Sequence, residues 1–169
     1  MQQLTAQHLD AVLEFETVNR DYFAASIPDR GDDFFTDYPA RHAALLAMQA
    51  AGTDSFHVLL TDDGTVTGRV NLIDISDSEA ELGYRIGRDF AGHGLATKAV
   101  RHACHLARTV YGLERLRAAT TVDNHGSRTV LLRNGFTIVG ETTLDGRPAH
   151  LFIVNLGHDR LASSPPTIN

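Results

Sequence analysis

The feature of this sequence that most restricts its fold is a short glycine loop placed between a strand pattern and a helix pattern. Gly92, His93 and Gly94 follow alternating apolar residues, and from Leu95 to Val110 the apolar residues recur at helical spacing. Glycines allow main-chain amides to approach a ligand closely, and the first N–H groups of a helix have no partner within it. Because these groups also lie at the positive end of the helix dipole, the loop predicts a site for an anion such as a pyrophosphate.

Alternating and helical periodicities along the rest of the chain predict a mixture of strands and helices. Two-residue alternation predicts strands over residues 56–60, 66–75, 79–88, about 115–122, 136–144 and 149–156. Helical spacing predicts helices over about residues 5–19, 39–51, 95–111 and 127–134. The Asp63-Gly64 pair is typical of a hairpin turn, and hairpins join antiparallel strands. The order predicts an α+β (mixed α/β) fold, in which a central, mostly antiparallel twisted sheet is flanked by helices.

Length and composition are typical of one soluble globular domain. The chain has 169 residues, of which 43% are hydrophobic and 21% are charged, and this length suits one core better than two. We expect a single domain over residues 1–157 and a flexible tail over residues 158–169, where serines and prolines follow the last strand pattern. No secretory or membrane-spanning pattern is found, and the single cysteine, Cys104, cannot form an internal disulfide. A cytoplasmic location without a membrane partner is therefore expected.

Charge and histidine placement argue against two other classes of function. The formal net charge is −6, whereas a non-specific nucleic-acid binder needs clustered Lys and Arg to contact phosphates. His102 and His105 share the polar side of a helix, but no neighbouring residues complete a ligand set. We therefore expect neither a nucleic-acid partner nor a metal site.

Two common phosphate-binding motifs do not match the glycine loop. A P-loop has Lys and then Ser or Thr after its last glycine, whereas Leu95 and Ala96 follow Gly94. A dinucleotide-binding loop has a third Gly or Ala where this chain has Thr97, and it opens a βαβ unit instead of following hairpins. Both alternatives are therefore disfavoured.

The glycine loop instead resembles the acetyl-coenzyme A (acetyl-CoA) loop of the GNAT acetyltransferase superfamily. That family has Gln or Arg, two further residues, Gly, one residue, and then Gly or Ala. Gly94 and Ala96 match this rule, whereas Ala91 departs from its first position. A side-chain contact that many relatives make from that first position is therefore missing, but a main-chain cradle does not depend on it.

Two further stretches support the resemblance. Asn124-His125-Gly126-Ser127, followed by Val130 to Phe136, is similar to the second family signature, in which an Asn and a Ser precede a helix that ends in Gly-Phe. Glu81-Leu82-Gly83-Tyr84-Arg85-Ile86 resembles the strand before the loop in the branch that acetylates N-terminal amines of ribosomal proteins, the N-terminal alanine acetyltransferases. The resemblance covers about residues 4–156.

The resemblance implies the GNAT fold, with strands splayed apart at the cosubstrate site, and acetyl-CoA as the cosubstrate. The residues implied to bind it are Ile86, Gly87, Arg88, Ala91, Gly92, His93, Gly94, Leu95, Ala96, Thr97, Asn124 and Ser127. A main-chain amide between Ile86 and Arg88 is implied to polarise the thioester carbonyl. The implied partner is an amine acceptor, either a protein N-terminus or a small molecule, and the chain is expected to be a monomer or a homodimer.

Catalytic candidates follow from what amide formation requires: a neutral amine, a polarised carbonyl and a proton for the departing thiolate. Glu81 lies on the strand face opposite the apolar stripe and is the candidate base, with an ordinary exposed or paired carboxylate as the alternative. Ser127 is the candidate proton donor, with water or Tyr84 as alternatives, because many relatives have a tyrosine where this chain has Leu131. For both Asn124 and Ser127, a helix N-cap is the alternative role.

The sequence thus predicts an N-acetyltransferase that moves an acetyl group from acetyl-CoA to a primary amine by direct attack. The alternatives are an acetyltransferase of a small-molecule amine or antibiotic, and a non-catalytic CoA-binding sensor. The acceptor site is expected over about residues 15–40, where aromatic side chains form either a wall or the core. Acidic residues in this segment favour a cationic acceptor: Asp29, Asp32, Asp33 and Asp37.

Overall fold

The computed structural model describes residues 1–157, so the tail predicted for residues 158–169 lies outside the described residues. The strands are β1 (Gln2–Gln3), β2 (Ser55–Leu60), β3 (Val66–Ser76), β4 (Glu79–Ile86), β5 (Arg115–Thr121), β6 (Thr137–Leu144) and β7 (Arg147–Asn155). The α-helices are α1 (Leu9–Val18), α2 (Arg20–Ala24), α3 (Asp32–Thr36), α4 (Tyr38–Ala51), α5 (Leu95–Thr109) and α6 (His125–Arg133). Short 3₁₀ turns cover Ala6–His8 and Arg88–Phe90.

The described strands form one sheet with the order β1-β2-β3-β4-β5-β7-β6. Neighbouring strands are antiparallel, with the exception of β4 and β5, which run parallel. That pair is short: Glu79–Glu81 pairs with Arg115–Arg117, and the two strands then separate. The structure therefore confirms a mixed, mostly antiparallel sheet flanked by helices, with a splay between its two central strands.

One face of the sheet is covered by α5, whose small apolar residues allow close approach to the strands. Val100, Ala103 and Ala107 are buried against a cluster that includes Leu82 of β4 and Phe152 of β7. Each fully buried aliphatic side chain contributes about 1.5–3 kcal/mol to folding. This packing fixes the start of α5, and hence the glycine loop, beside the end of β4.

The other face carries α1, α3 and α4 over strands β2 and β3. Val12 and Phe15 of α1 pack with Phe34, Tyr38 and Val58 in a second buried cluster. This packing places α1, and the chain that follows it, along the side of the sheet near the end of β4. The helices on this face are therefore positioned to form one wall of a site at the splay.

Three elements of the structure were missed by the sequence patterns, namely β1, α2 and α3. Helix α3 begins after Gly31, which has a φ of 74°. Helices of five residues, such as α2 and α3, are too short to display a helical period. Strand β1 exists because its two glutamines pair with β2, and the sequence has no local signal for this long-range contact.

The structure can be compared with the expectations for membrane-spanning segments and for Cys104. No helix among residues 1–157 is long and apolar enough to cross a membrane. Cys104 is a free, half-buried thiol on α5, and burial raises its pKa to about 11. The thiol is therefore protonated at neutral pH, as expected for a structural cysteine and not for a reactive one.

Candidate active site

A cavity of about 620 Å³ lies at the splay between β4 and β5, and we call it the splay cavity. The end of β4, the glycine loop, the first turn of α5 and the first turn of α6 form one side of it, and the chain after α1 forms the other. Its lining is largely apolar on the side formed by the chain after α1, where Tyr22, Phe23 and Ile27 contribute. The described lining residues include two cations, Arg85 and Arg133, and no carboxylate.

The glycine loop presents main-chain donors to the splay cavity. Gly92 and Gly94 have φ values of 81° and 77°, in the left-handed region that favours glycine. No atom lies within 4 Å of the position that a Cβ would take at either residue. The first hydrogen bond of the α5 ladder is donated by Lys98 to Gly94, and no protein acceptor is found within the described chain for the N–H groups of residues 92–97. These free donors at a helix N-terminus fit a pyrophosphate.

The end of β4 offers fewer free amides than the sequence implied. The Gly87 amide donates to the Thr67 carbonyl oxygen at 2.9 Å, and the Arg88 amide donates to Asn19 Oδ1 at 2.8 Å. Because neighbouring residues of a strand direct their N–H groups to opposite sides, the amides of Tyr84 and Ile86 face β5 across the splay. Of the three residues in the predicted 86–88 segment, Ile86 is therefore the one whose amide is available to a thioester carbonyl.

Two hydroxyl groups meet inside the splay cavity. Tyr84 Oη lies 2.9 Å from Ser127 Oγ, and it donates to the Ser127 carbonyl oxygen at 3.1 Å. Burial raises the pKa of Tyr84 to about 12, although its hydrogen bond with Ser127 acts in the opposite direction. The phenol is therefore protonated throughout the neutral pH range, so this hydroxyl pair can donate a proton.

Asn124 has the role of helix cap that the sequence left as an alternative. Its Oδ1 accepts a hydrogen bond from the Ser127 amide at 3.0 Å, which fixes the first turn of α6. The Asn124 side chain also lines the splay cavity. The cap therefore fixes the main chain at Ser127, and the described residues provide no hydrogen-bond partner for the Asn124 side-chain nitrogen.

The opposite face of β4 carries Glu81, Gly83 and Arg85 in a row, because alternate residues of a strand share a face. Glu81 is half-buried, pairs with Ile73 of β3 and Arg117 of β5, and does not line the splay cavity. At Gly83, the space that a Cβ would take is empty to 4 Å. Gly83 therefore leaves a gap at the centre of this row, between the carboxylate of Glu81 and the guanidinium of Arg85.

Arg85 belongs to a buried ionic cluster on α1 and the sheet. Glu16 is 3% exposed, and its two carboxylate oxygens accept one bond each, from Arg69 at 2.8 Å and from Arg85 at 2.9 Å. The guanidinium of Arg85 also lies 5.1 Å from the centre of the Phe23 ring. These contacts fix the position of Arg85 between the ionic cluster and the splay cavity.

The aromatic residues of the predicted acceptor region divide between wall and core. Tyr22 and Phe23 line the splay cavity, whereas Phe34 and Tyr38 belong to the buried cluster under α1. The acidic residues of this region do not line the splay cavity. Two of them, Asp29 and Asp32, form ion pairs with Arg20 at 2.6 and 2.7 Å. The structure therefore does not support these aspartates as a site for a cationic acceptor.

The structure brings together most of the predicted site residues. Those that line the splay cavity are Ile86, Ala91, Gly92, Gly94, Ala96, Thr97, Asn124 and Ser127. Those that lie outside its lining are Glu81, Gly87, Arg88, His93 and Leu95. Gly87 and Arg88 instead line a neighbouring cavity beside α1, and Leu95 packs toward the core under α5.

Several lining residues were not predicted as site residues. They include Ile27, from the chain after α1, and Arg85, from β4. The signal for Arg85 was available, since it follows Tyr84 in the strand that ends at the splay. For Tyr22 and Phe23 the sequence left wall and core as alternatives, because which aromatic residues reach the cavity depends on the packing of α1 on β3. No cluster of metal-ligating side chains is found among residues 1–157.

Fold and site together define an acyltransferase, and comparisons with known proteins agree. The model of the family described as "Acetyltransferase (GNAT) domain" matches residues 1–137. The chain therefore belongs to the GNAT acetyltransferase family, which confirms the family, fold and enzyme class predicted from the sequence.

The chain is also similar to particular relatives and solved structures. It is 29% identical over 143 residues to YdaF of Bacillus subtilis (strain 168), which is named as a ribosomal N-acetyltransferase, and the match covers 81% of this chain and 71% of YdaF. The structure resembles the ribosomal-protein-S5-alanine acetyltransferase of Vibrio fischeri, with a TM-score of 0.85, 19% identity and 91% of each chain covered. It also resembles Mycobacterium smegmatis RimJ in complex with a CoA disulfide, with a TM-score of 0.81, 22% identity, and 90% of this chain and 79% of RimJ covered.

Proposed function

We propose that this protein transfers the acetyl group of acetyl-CoA to the α-amine of a peptide or protein N-terminus. The observation that carries the proposal is the set of unpartnered main-chain N–H groups at residues 92–97, four of which belong to residues that line the splay cavity beside a protonated hydroxyl pair. A pyrophosphate needs several converging donors, and a thioester reaction needs a proton donor nearby. This arrangement supports catalysis over simple binding of CoA.

The cosubstrate fits the residues that are present. When bound, acetyl-CoA supplies an activated acyl group. The glycine loop holds its diphosphate, with charge-assisted bonds of about 1.5–3 kcal/mol each. Arg133 is the last residue of α6. The next residue, Asn134, donates from Nδ2 to the Thr97 carbonyl oxygen at 3.3 Å, which holds the end of α6 near the first turn of α5. Arg133 stabilises negative charge there. The Ile86 amide, which faces the splay, orients and polarises the acyl oxygen.

Proton movements are assigned to two sides of β4. Ser127 donates a proton to the departing sulfur and takes up the second proton that the amine nitrogen loses when the amide forms, and Tyr84 positions the Ser127 hydroxyl by the hydrogen bond between them. Glu81 accepts the ammonium proton of the acceptor through water, because its carboxylate lies on the acceptor face but outside the cavity lining. The acceptor amine approaches over Gly83, where the missing side chain leaves the strand accessible.

The kinship to ribosomal acetyltransferases favours a peptide acceptor over a small-molecule or antibiotic acceptor. The alternative of a non-catalytic CoA sensor is opposed by the hydroxyl pair, because a module that only binds CoA does not require a proton donor near the sulfur.

The direct test is thiol release from acetyl-CoA in the presence of an N-terminal peptide, a polyamine or an aminoglycoside. We expect release with the peptide, and a mass increase of one acetyl group at its N-terminus. Binding of acetyl-CoA without turnover of any amine would instead support the sensor. The variant Glu81→Gln should bind acetyl-CoA as the wild type does and lower kcat, and an unchanged kcat would remove Glu81 from the mechanism.

A further inference from the structure

We infer that the preferred acceptor carries a carboxylate close to its reacting amine, and that Arg85 binds this carboxylate. The inference rests on the proposed function and adds a substrate class to it. It replaces the cationic acceptor that the aspartates of residues 29–37 had suggested from the sequence.

The charges around the splay cavity favour an anionic acceptor. The described lining residues include no carboxylate, and the two arginines lie in different parts of the cavity. Arg133 precedes Asn134, which bonds to the Thr97 carbonyl oxygen in the first turn of α5, on the side where the phosphates of CoA are expected. Arg85 is on β4 beside the chain after α1, and it also lines a small adjoining cavity with Arg30, Glu16 and Asp29, of which Asp29 is paired with Arg20. The pantetheine arm of CoA carries no charge, so the cosubstrate would supply no counter-ion to Arg85.

The positive charge of Arg85 is only partly balanced within the protein. Glu16 is shared between Arg85 and Arg69, so one carboxylate faces two guanidinium groups. Arg69 is itself buried, and its Nε has no hydrogen-bond partner. The pKa of Arg30 is lowered by desolvation and then by the like charge of Arg85. Asp29 lines the same small cavity but is paired with Arg20, so Arg30, Arg69 and Arg85 have Glu16 as their shared carboxylate. This leaves an excess of positive charge, which an incoming anion would stabilise.

Hydrogen-bonding capacity on Arg85 is also free. Of its five N–H groups, the described residues accept one hydrogen bond, which goes from Nη1 to Glu16. Its side chain is 21% exposed, so the remaining donors can be reached from the cavity. Stacking on Phe23 and the bond to Glu16 hold the guanidinium in place before a ligand arrives. A fixed guanidinium with free donors is the usual receptor for a carboxylate.

The register of β4 sets the distance between the two groups that the acceptor must present. Glu81 and Arg85 flank the gap at Gly83, and each is two residues away, which is roughly 6.6–6.8 Å along a strand. An amine placed over Gly83 therefore has a base on one side and a carboxylate receptor on the other. An acidic side chain in the first residues of a peptide, or the carboxylate of a free amino acid, satisfies this spacing.

The test compares acceptors that differ only in the carboxylate. The probes are an alanyl peptide with Asp at its second and third positions, the same peptide with Asn or with Lys there, and free alanine against alaninamide. For the wild type, we expect kcat/KM for the Asp peptide to exceed that for the Asn peptide by about tenfold to a hundredfold, as expected for an arginine–carboxylate hydrogen bond. A preference for alanine over alaninamide would identify the free amino acid as the source of the carboxylate.

The variant Arg85→Gln should abolish this preference by raising KM for the Asp peptide, while the KM for acetyl-CoA stays within about twofold of the wild type. Arg85→Lys should retain part of the preference, and Arg101→Gln, an exposed change on α5, should retain all of it. Thermal unfolding of each variant identifies any loss of folding.

An Arg85→Gln enzyme that still prefers the Asp peptide, or a wild type that prefers the Lys peptide, would overturn the inference and leave the acetyltransferase proposal intact. If no amine is acetylated, calorimetric titration of the Asp and Asn peptides into the CoA-bound wild type and Arg85→Gln still decides the matter. Binding of the Asp peptide that is lost in Arg85→Gln supports the inference, and equal binding to both proteins contradicts it.

Discussion

At the scale of single residues, the proposed chemistry depends on hydroxyl and guanidinium groups whose protein partners fix them in place. Tyr84 is held by Ser127, Ser127 by the Asn124 cap, and Arg85 by Glu16. Of these groups, Arg85 also keeps N–H donors that no described residue accepts. Positioning by neighbours of this kind avoids the entropy cost of ordering a side chain when a ligand binds.

Removing either hydroxyl of the pair should slow the acetyl transfer. We expect Tyr84→Phe and Ser127→Ala each to lower kcat by about tenfold to a hundredfold, because the proton donor is misplaced or lost. The KM for acetyl-CoA should change little, since neither hydroxyl belongs to the glycine loop. Steady-state kinetics with a peptide acceptor measure both constants.

The double variant shows whether the two hydroxyls act as one unit. If they do, Tyr84→Phe combined with Ser127→Ala is no slower than the slower single variant. Losses that multiply would mean that the two groups act independently and would contradict the assignment of Tyr84 as a positioning residue.

At the scale of elements, the splay cavity exists because three elements end or begin at one place. Strand β4 ends, α5 begins after the glycine loop, and α1 is tied to the same point through Asn19, which bonds to Phe15 and to the Arg88 amide. A Cβ at Gly87 would lie 3.1 Å from the Phe15 ring and 3.3 Å from the Asn19 side chain, so this junction is tightly packed. The chain after α1 is therefore tied at its start to the end of β4.

A charged side chain in the glycine loop should prevent binding of the cosubstrate. We expect Gly94→Glu to weaken acetyl-CoA affinity beyond detection, because a carboxylate would replace the main-chain site for phosphate. The matched control is Gly112→Glu, which also lies at a positive φ, of 65°, with open space around it, but at the end of α5 far from the loop. Calorimetric titration compares the two, and similar losses in both would indicate backbone strain instead.

The helices and strands that position the site were largely predictable from the sequence, whereas the long-range contacts that bring them together were not. The glycine loop, α5 and the strand that carries Tyr84 have strong local patterns, because glycines and a regular apolar period act within a few residues of the chain. The contact of Glu16 with Arg85 joins residues 69 positions apart, and neither residue has a local feature that indicates the other. The wall made by Tyr22 and Phe23 likewise depends on how α1 packs on the sheet.

Glu81 was the candidate base from the sequence, but the structure places it outside the lining of the splay cavity. The sequence shows correctly that Glu81 and Tyr84 lie on opposite faces of β4. It does not show where β5 separates from β4, and pairing continues through Glu81. The splay therefore begins after Glu81, so the residues directly at the cavity are those that follow it.

At the scale of the whole molecule, a buried histidine couples folding to pH. His57 of β2 is 4% exposed, its Nε2 lies 3.1 Å from Tyr111 Oη, and burial lowers its pKa to about 4. The unfolded chain, with the ordinary value of 6.5, takes up a proton that the folded protein excludes. The contribution of His57 is therefore complete above pH 6.5 and is lost as the pH falls toward 4, by up to about 3 kcal/mol.

This coupling predicts how stability changes in acid. The free energy of unfolding in urea should fall between pH 6.5 and pH 4 in the wild type, and the fall should be smaller in His57→Gln, which has no titrating group at that position. His105→Gln, a change at an exposed histidine of α5, should follow the wild type. Parallel curves for the wild type and His57→Gln would show that other groups dominate acid unfolding.

The separation of β4 from β5 also has a consequence for handling the protein. A sheet normally has two free edges, and here the splay adds two more in its interior, where main-chain groups such as the Tyr84 and Ile86 amides lack a neighbouring strand. Unpaired edges invite extended segments of other molecules. Purified material stored without cosubstrate should therefore self-associate sooner than material kept saturated, in which an amide-containing arm takes the place of the missing strand.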